Sequence, residues 1–254
     1  MSKVTADITM SLDGFITGPG DRPGRGLGER GECLHNWVMG GPWHYDDEGR
    51  RFAPGEVDRG VLSQAMASIG AGIIGRRMFD VTGGWGGNPP GGPDARYFVL
   101  THSVPPEWAG RGSPFTFVTD GIGSALSQAR AVAGDKDVGI GGGANVIQQY
   151  LAAGLVDELR LHVAPVLLGT GKRLFDHLGD ETIELARTAV IESPYATHLY
   201  FTVCRLPHGP KSSSSEICAP FWTLLAVKLS STYWPLVPDG SGMVTVLPVD
   251  GFQV

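Results

Sequence analysis

The spacing of hydrophobic and polar positions changes several times along the chain, and the changes divide it into elements. The opening run KVTADITMSL alternates roughly and is rich enough in β-branched residues to predict a first strand. From about Asp13 to Pro54 the pattern dissolves into glycine, proline and charge, which predicts a long loop with a short helix around RGECLHNWV. Periodicity returns in PGEVDRGVLSQAMASIG, where Val57, Val61, Leu62, Ala65, Met66 and Ile69 form one helical stripe stopped by Gly70. AGIIG reads as a short buried strand, GRRMFD as the start of a turn or helix, and GGWGGNPPGGP as loop.

RYFVLT and FTFVT read as strands, and DGIGSALSQARAVAG as a helix with Asp120 at its N-cap. KDVGI is a further strand. ANVIQQYLAAG is a helix with Ala144, Ile147, Tyr150 and Leu151 on one side and Gly154 as its cap. In DELRLHVAPVLL, Leu159, Leu161 and Val163 alternate with Glu158, Arg160 and His162. TIELARTAVIES and ATHLYFTVCRL follow one another without a helix, which predicts an antiparallel pair closing the sheet. The order predicts an α/β fold: a mostly parallel central sheet, helices on both faces and a C-terminal antiparallel hairpin. Ligands in such sheets bind outside the carboxyl ends of the strands, where MSLDG, IIGRRMF and GIGGGAN carry unusual residues.

Composition narrows the classes. Of 254 residues, 42% are hydrophobic and 18% charged, as in folded globular proteins. A net charge of −6 without a lysine or arginine block argues against a nucleic-acid or anionic-membrane partner. Cys33, Cys204 and Cys218 form no close pair and cannot all lie in intramolecular bridges, which predicts a reduced, cytoplasmic setting. MSKVTADITMSLDG lacks the apolar core of a signal peptide, and ICAPFWTLLAVKL, with Pro220 and Lys228, is too short to span a bilayer.

Chemistry concentrates at the strand ends. In GIGGGANVI, Gly141, Gly142 and Gly143 bare the backbone where a strand turns into a helix. The turn either lets a phosphate approach main-chain N–H groups at the helix N-terminus or simply avoids a clash. Arg76 and Arg77, after Gly75, are either a grip for a second phosphate, such as the 2′-phosphate of NADP, or a solvated pair. Asp13 either relays a proton, if partial burial raises its pKa, or caps the loop. Trp37, Trp43 and Trp85 either roof a flat ring substrate or anchor loops. Asp157 and Glu158 read as structural. The irregular spacing of His35, His44, Asp46 and Asp47 predicts solvated surface, and no metal site is expected. PKSSSSE reads as a linker. From Glu216 to Val254 only Glu216, Lys228, Asp239 and Asp250 are charged, so this tail either packs on its own domain or a partner subunit, or is an extension from read-through.

MSLDGFITGP, LHNWV, IIGRRMFD, FVLTH, FTFVTDGI, GGGANVIQQYLAAGLVDELRLHVAPVLLGTGKRLF and THLYF occur in this order. From about residue 3 to 206 the chain resembles the dihydrofolate-reductase-like family, which includes the C-terminal reductase domain of the bifunctional riboflavin-biosynthesis deaminase/reductase. The resemblance implies a three-layer, NADPH-binding reductase domain over residues 1–207, with residues 208–254 as an extension, and a homodimer as in the riboflavin branch. It implies that Gly75, Arg76 and Arg77 hold the adenosine phosphate end of NADPH and that Thr101 and His102 lie along the adenine ribose. Gly141, Gly142, Gly143, Ala144 and Asn145 would cradle the pyrophosphate, and Asp13, Gly14 and Phe15 would lie beside the nicotinamide and a small-molecule substrate, for which Trp37 is the aromatic candidate. Riboflavin-pathway reductases usually read Glu-Gly-Gly where this chain has Gly141, and neither a deaminase zinc motif nor the proton-donating carboxylate of folate reductases is identifiable. The expected activity is NADPH-dependent reduction of a small heterocyclic substrate, with a non-catalytic nucleotide-binding relative as the alternative.

Overall fold

A computed structural model describes residues 2–92, 94–108, 113–180 and 182–204. An eight-stranded sheet has the order β5-β4-β3-β6-β1-β7-β10-β9. Its strands are β1 (Val4–Ser11), β3 (Ile69–Gly75), β4 (Tyr97–Leu100), β5 (Phe115–Val118), β6 (Asp137–Gly142), β7 (Glu158–Ala164), β9 (Glu184–Ser193) and β10 (Ala196–Cys204). All pairings from β5 to β7 are parallel, and β10 joins β7 and β9 antiparallel. The alternation of β9 and β10 thus produced the closing hairpin that it predicts. β2 (Phe15–Thr17), inside the stretch that read as a long loop, and β8 (Lys172–Arg173), in a segment given no element, form a small second sheet.

Helices α1 (Asn36–Met39), α2 (Glu56–Ser68), α3 (Arg76–Thr82), α4 (Ile122–Ala133) and α5 (Ala144–Ala152) connect these strands. Ala125, Leu126 and Ala129 of α4 and Ile147, Tyr150 and Leu151 of α5 pack on Val4, Ile73, Val138, Ile140 and Leu159 in the main core. The expected buried side of α5 is present, and Gly154, at φ +63°, follows the helix end. On the opposite face Trp37, Val61 and Ala196 form a smaller core under α1 and α2.

Three local expectations fail. α4 starts after Gly121 rather than Asp120, with no side-chain cap. Ile69 and Gly70 belong to β3, and Val57 and Met66 of the α2 stripe are exposed, while Asp58 is buried with Val61. β7 is buried on both faces, so Arg160 and His162 of its polar side are core residues. A central position in the sheet removes the solvent face that alternation implies.

Among the described residues no helix is long and apolar enough to cross a membrane. Cys33 is a free thiol, whereas Cys204 is disulfide-bonded, which departs from the expectation of reduced cysteines. Cys218 and the segment from 208 to 254 lie outside the described residues.

Candidate functional site

The carboxyl ends of β3, β4, β5 and β6 open into one cavity of about 1060 Å³. β3 ends at Gly75 and passes directly into α3 at Arg76. A side chain at Gly75 would meet Val146 Cγ2 at 2.9 Å, so glycine here lets strand β3 and helix α5 pack closely. β6 ends at Gly142, whose φ of +121° favours glycine. Gly143 has an ordinary φ of −83°, but a Cβ there would point into open space. Helix α5 starts at Ala144 without a side-chain cap; Val146 and Ile147 N–H donate to Gly143 O at 3.1 and 3.3 Å, and the N–H groups of Ala144 and Asn145 are the first-turn donors left to other partners.

All ten residues assigned to cofactor binding line this cavity: Gly75, Arg76, Arg77, Thr101, His102, Gly141, Gly142, Gly143, Ala144 and Asn145. Gathering them requires strand ends that are far apart in sequence, and the parallel order β4-β3-β6 places them side by side.

The two arginines differ in their ties. Arg76 donates through Nε to Asp80 at 2.7 Å and through one terminal nitrogen to Ser103 O at 2.9 Å, beside Thr101. Arg77 closes a fork on Asp21, with Nε at 2.6 Å and a terminal nitrogen at 2.9 Å. Lys172 also donates to Asp21, at 2.7 Å. The hydrogen bond from Arg77 is the largest influence holding the Asp21 carboxyl down at about 2, with Lys172 adding to it.

The substrate-side assignments fare differently. Asp13, Gly14, Phe15 and Trp37 are not among the cavity-lining residues. Asp13 accepts from Ser11 Oγ at 2.6 Å and from the N–H groups of Leu168 and Gly169 at 3.1 and 2.7 Å. These bonds, that of Ser11 foremost, hold its carboxyl at about 2, the reverse of the raised pKa that a proton donor needs. Asp13 is the loop cap. The buried ring of Phe15 carries the Arg173 guanidinium 4.6 Å above its centroid. Gly14 turns the chain at φ +87° and accepts from Leu174 N. Trp37 is buried and donates to Thr9 Oγ1 at 3.1 Å. Of the other tryptophans, Trp85 lines the cavity, and Trp43 packs on Tyr45 under Arg50.

Several lining residues escape sequence reasoning: Thr9, Asp21, His35, Gln148, Lys172 and Arg173. The β2–β8 pairing, with the Leu174 N bond to Gly14 O, brings Lys172 and Arg173 to the loop beyond β1. His35, half-buried, has its pKa pushed down to about 4 by burial first and by the charge of His162 second, so it stands as a neutral imidazole near pH 7. A histidine in a glycine-rich loop gives no local sign of this. Among the described residues no group of three or more His, Cys, Asp or Glu could hold a metal ion.

A dinucleotide suits the chemistry of the cavity: an uncapped helix start and a side-chain-free turn for phosphates, with Arg76 at the rim.

Comparison with known proteins agrees with this architecture. The chain is 28% identical over 182 residues to the uncharacterized protein YyaP of Bacillus subtilis, covering 68% of this chain and 80% of that protein. A candidate riboflavin biosynthesis protein from Shewanella sp. PV-4 shares the fold with a TM-score of 0.55 at 21% identity, over 80% of this chain and 99% of that one. A pyrimidine reductase-like protein from Corynebacterium diphtheriae gives 0.53 at 15% identity, over 81% and 93%. The profile of the RibD C-terminal domain matches residues 2–196, so the chain belongs to the RibD C-terminal domain family, a reductase-like family.

Proposed function

We propose that this protein is an NADPH-dependent reductase that passes a hydride to a small heterocyclic substrate. The observation that carries the reading is the convergence of the Gly141–Gly143 turn, the uncapped start of α5 and Arg76 on one cavity. Gly142, Gly143, Ala144 and Asn145 would take the pyrophosphate on main-chain N–H groups, and Thr101 and His102 would border the adenine ribose. Arg76 would meet the 2′-phosphate that separates NADPH from NADH. When bound, the nicotinamide supplies the hydride; the chain supplies orientation, a walled site and charge.

The remainder of the cavity, past Thr9 and His35, is the substrate end. Its neutral imidazole and the Thr9 hydroxyl suit hydrogen bonding to an uncharged ring, while the Gln148 amide nitrogen is taken by Arg173 O and Leu174 O. The names of the Shewanella and Corynebacterium relatives point to the same substrate class. We place the activity in residues 1–207 of a cytoplasmic homodimer.

Fluorescence titration of the full chain tests the cofactor, with NADPH expected to bind at least tenfold tighter than NADH. Loss of NADPH absorbance with aminopyrimidine and carbonyl substrates tests turnover. No binding of either nucleotide at millimolar concentration overturns the reading. Binding without oxidation across the panel leaves a nucleotide-binding relative without turnover.

A further inference from the structure

Four titratable side chains outside the cofactor turn form one continuous hydrogen-bonded chain. The antiparallel register sets His162 on β7 opposite His198 on β10, and their Nδ1 atoms lie 2.7 Å apart. On the outer side of each ring, His162 Nε2 is 2.8 Å from Asp7 Oδ1 and His198 Nε2 is 3.0 Å from Asp58 Oδ1. His162, His198 and Asp58 are buried, and Asp7 keeps 29% of its side chain exposed. Trp37 covers both rings, at centroid distances of 4.6 and 5.1 Å.

The geometry fixes the number of hydrogens. An ionised carboxylate only accepts, so each Nε2 carries a hydrogen. The two Nδ1 atoms can hold a hydrogen bond only if they share one hydrogen, because none leaves facing lone pairs and two leave facing N–H groups. Burial, and then the charge of His162, disfavours the charged form of His198 against the pull of Asp58, so His198 is the neutral partner. His162 therefore donates through Nδ1 to His198.

We infer that Asp7, His162, His198 and Asp58 form a one-proton latch that holds α2 against the sheet and releases it when the ring pair gains or loses a hydrogen. Asp58 is the α2 member of the chain, and the β7–β10 ladder prevents the rings from slipping past one another. On the acid side the sign follows from His198. Its folded pKa lies below the ordinary 6.5, so the unfolded chain takes up the proton first and stability falls as pH drops below that value. On the alkaline side, removing the shared hydrogen leaves two lone pairs 2.7 Å apart. The other charged or titratable neighbours are His35, which feels His162, and Arg160 and Tyr200, which lie near Asp7.

The latch bears on the cavities. Val61, Leu62, Ala65 and Met66 of α2 wall a second cavity of about 520 Å³ that Asp7 and His162 also line. Met78, Trp85 and Gly141 line both cavities, so release of α2 loosens a wall next to the candidate site.

Amide hydrogen exchange of the full chain between pH 5 and 9, corrected for intrinsic rates, tests the latch together with ¹⁵N spectra of the imidazoles. Protection of α2 is expected to peak in a middle window and fall on both sides, while α4 and α5 change little. At neutral pH both Nε2 atoms should be protonated, with a single hydrogen between the Nδ1 atoms. Asp58→Asn keeps an acceptor for His198 but removes the charge, and should lower α2 protection about ten- to a hundredfold, as expected for one charge-assisted bond. A pH-independent α2, or an Nε2 without its hydrogen at neutral pH, overturns the inference, and both readouts use the unsubstituted protein.

Discussion

Arg76 and Arg77 are adjacent, yet different partners hold them, and the difference separates their expected roles. Arg77 is forked on Asp21, while Arg76 lies against the end of β4 at Ser103 and Thr101. Arg76→Ala should therefore weaken NADPH more than NADH, by about 1–3 kcal/mol for a lost charge-assisted contact. Arg77→Ala should affect both nucleotides alike, because it frees the Asp21 loop rather than a phosphate. It should also let the Asp21 carboxyl rise from about 2 toward its ordinary 3.8. A depressed carboxyl contributes stability that is present above 3.8 and is lost as pH falls toward about 2, so the substitution shrinks that contribution and narrows the pH window over which it is lost. Calorimetric titration with each nucleotide and carboxyl ¹³C shifts of Asp21 check the pair. Equal discrimination by both variants would remove Arg76 from the 2′-phosphate. At this scale the gathering of the glycines and arginines around one cavity was legible because each has a chemical reason to stand at a strand end. Asp13 was not, since a carboxylate beyond a strand reads alike whether it faces a ligand or caps a loop. Its three acceptor bonds decide for the cap.

Among the elements, the β6–α5 turn shows how far pattern alone reaches. Alternation and helical period located both elements, and the run of glycines between them marked a bare backbone. Which glycine serves which purpose depends on tertiary neighbours. Gly142 is needed for its φ of +121°, whereas Gly143 sits at −83° with open space where a Cβ would project. Gly143→Ala should therefore fold with an unchanged melting temperature and weaken NADPH and NADH together, by tenfold or more, about 1.4 kcal/mol. Gly142→Val mixes backbone strain with obstruction, so it should lower the melting temperature as well. Unchanged nucleotide affinity in Gly143→Ala would move the pyrophosphate away from this turn. The α2 stripe and the polar side of β7 were misread for a common reason. Periodicity assigns polar residues to solvent, yet Asp58, His162 and His198 are polar and buried because they satisfy one another. No local spacing reveals a bond between residues 36 or 140 positions apart in sequence.

For the whole molecule, the open question is what covers the β9 edge. β9 ends the sheet with ten residues, and Leu185 and Val190 on it are 40% and 45% exposed. A long edge strand presents unpaired backbone groups that another chain can pair with, and the charges of Glu184, Arg187 and Glu192 only partly blunt it. A two-fold pairing of this edge with a second copy satisfies those groups and removes Leu185 and Val190 from water at roughly 25 cal/mol per Å². We therefore expect light scattering to give twice the 26.9 kDa chain mass. The family match ends at residue 196 and one compact unit ends at His208, so a chain ending at Pro207 keeps the whole sheet. If the edge carries the assembly, that shorter chain stays dimeric and keeps its nucleotide affinity, while Leu185→Lys with Val190→Lys makes the full chain monomeric. If the shorter chain is monomeric and the lysine variant still dimeric, the segment beyond 207 makes the interface instead. A full chain that scatters as a monomer excludes both arrangements.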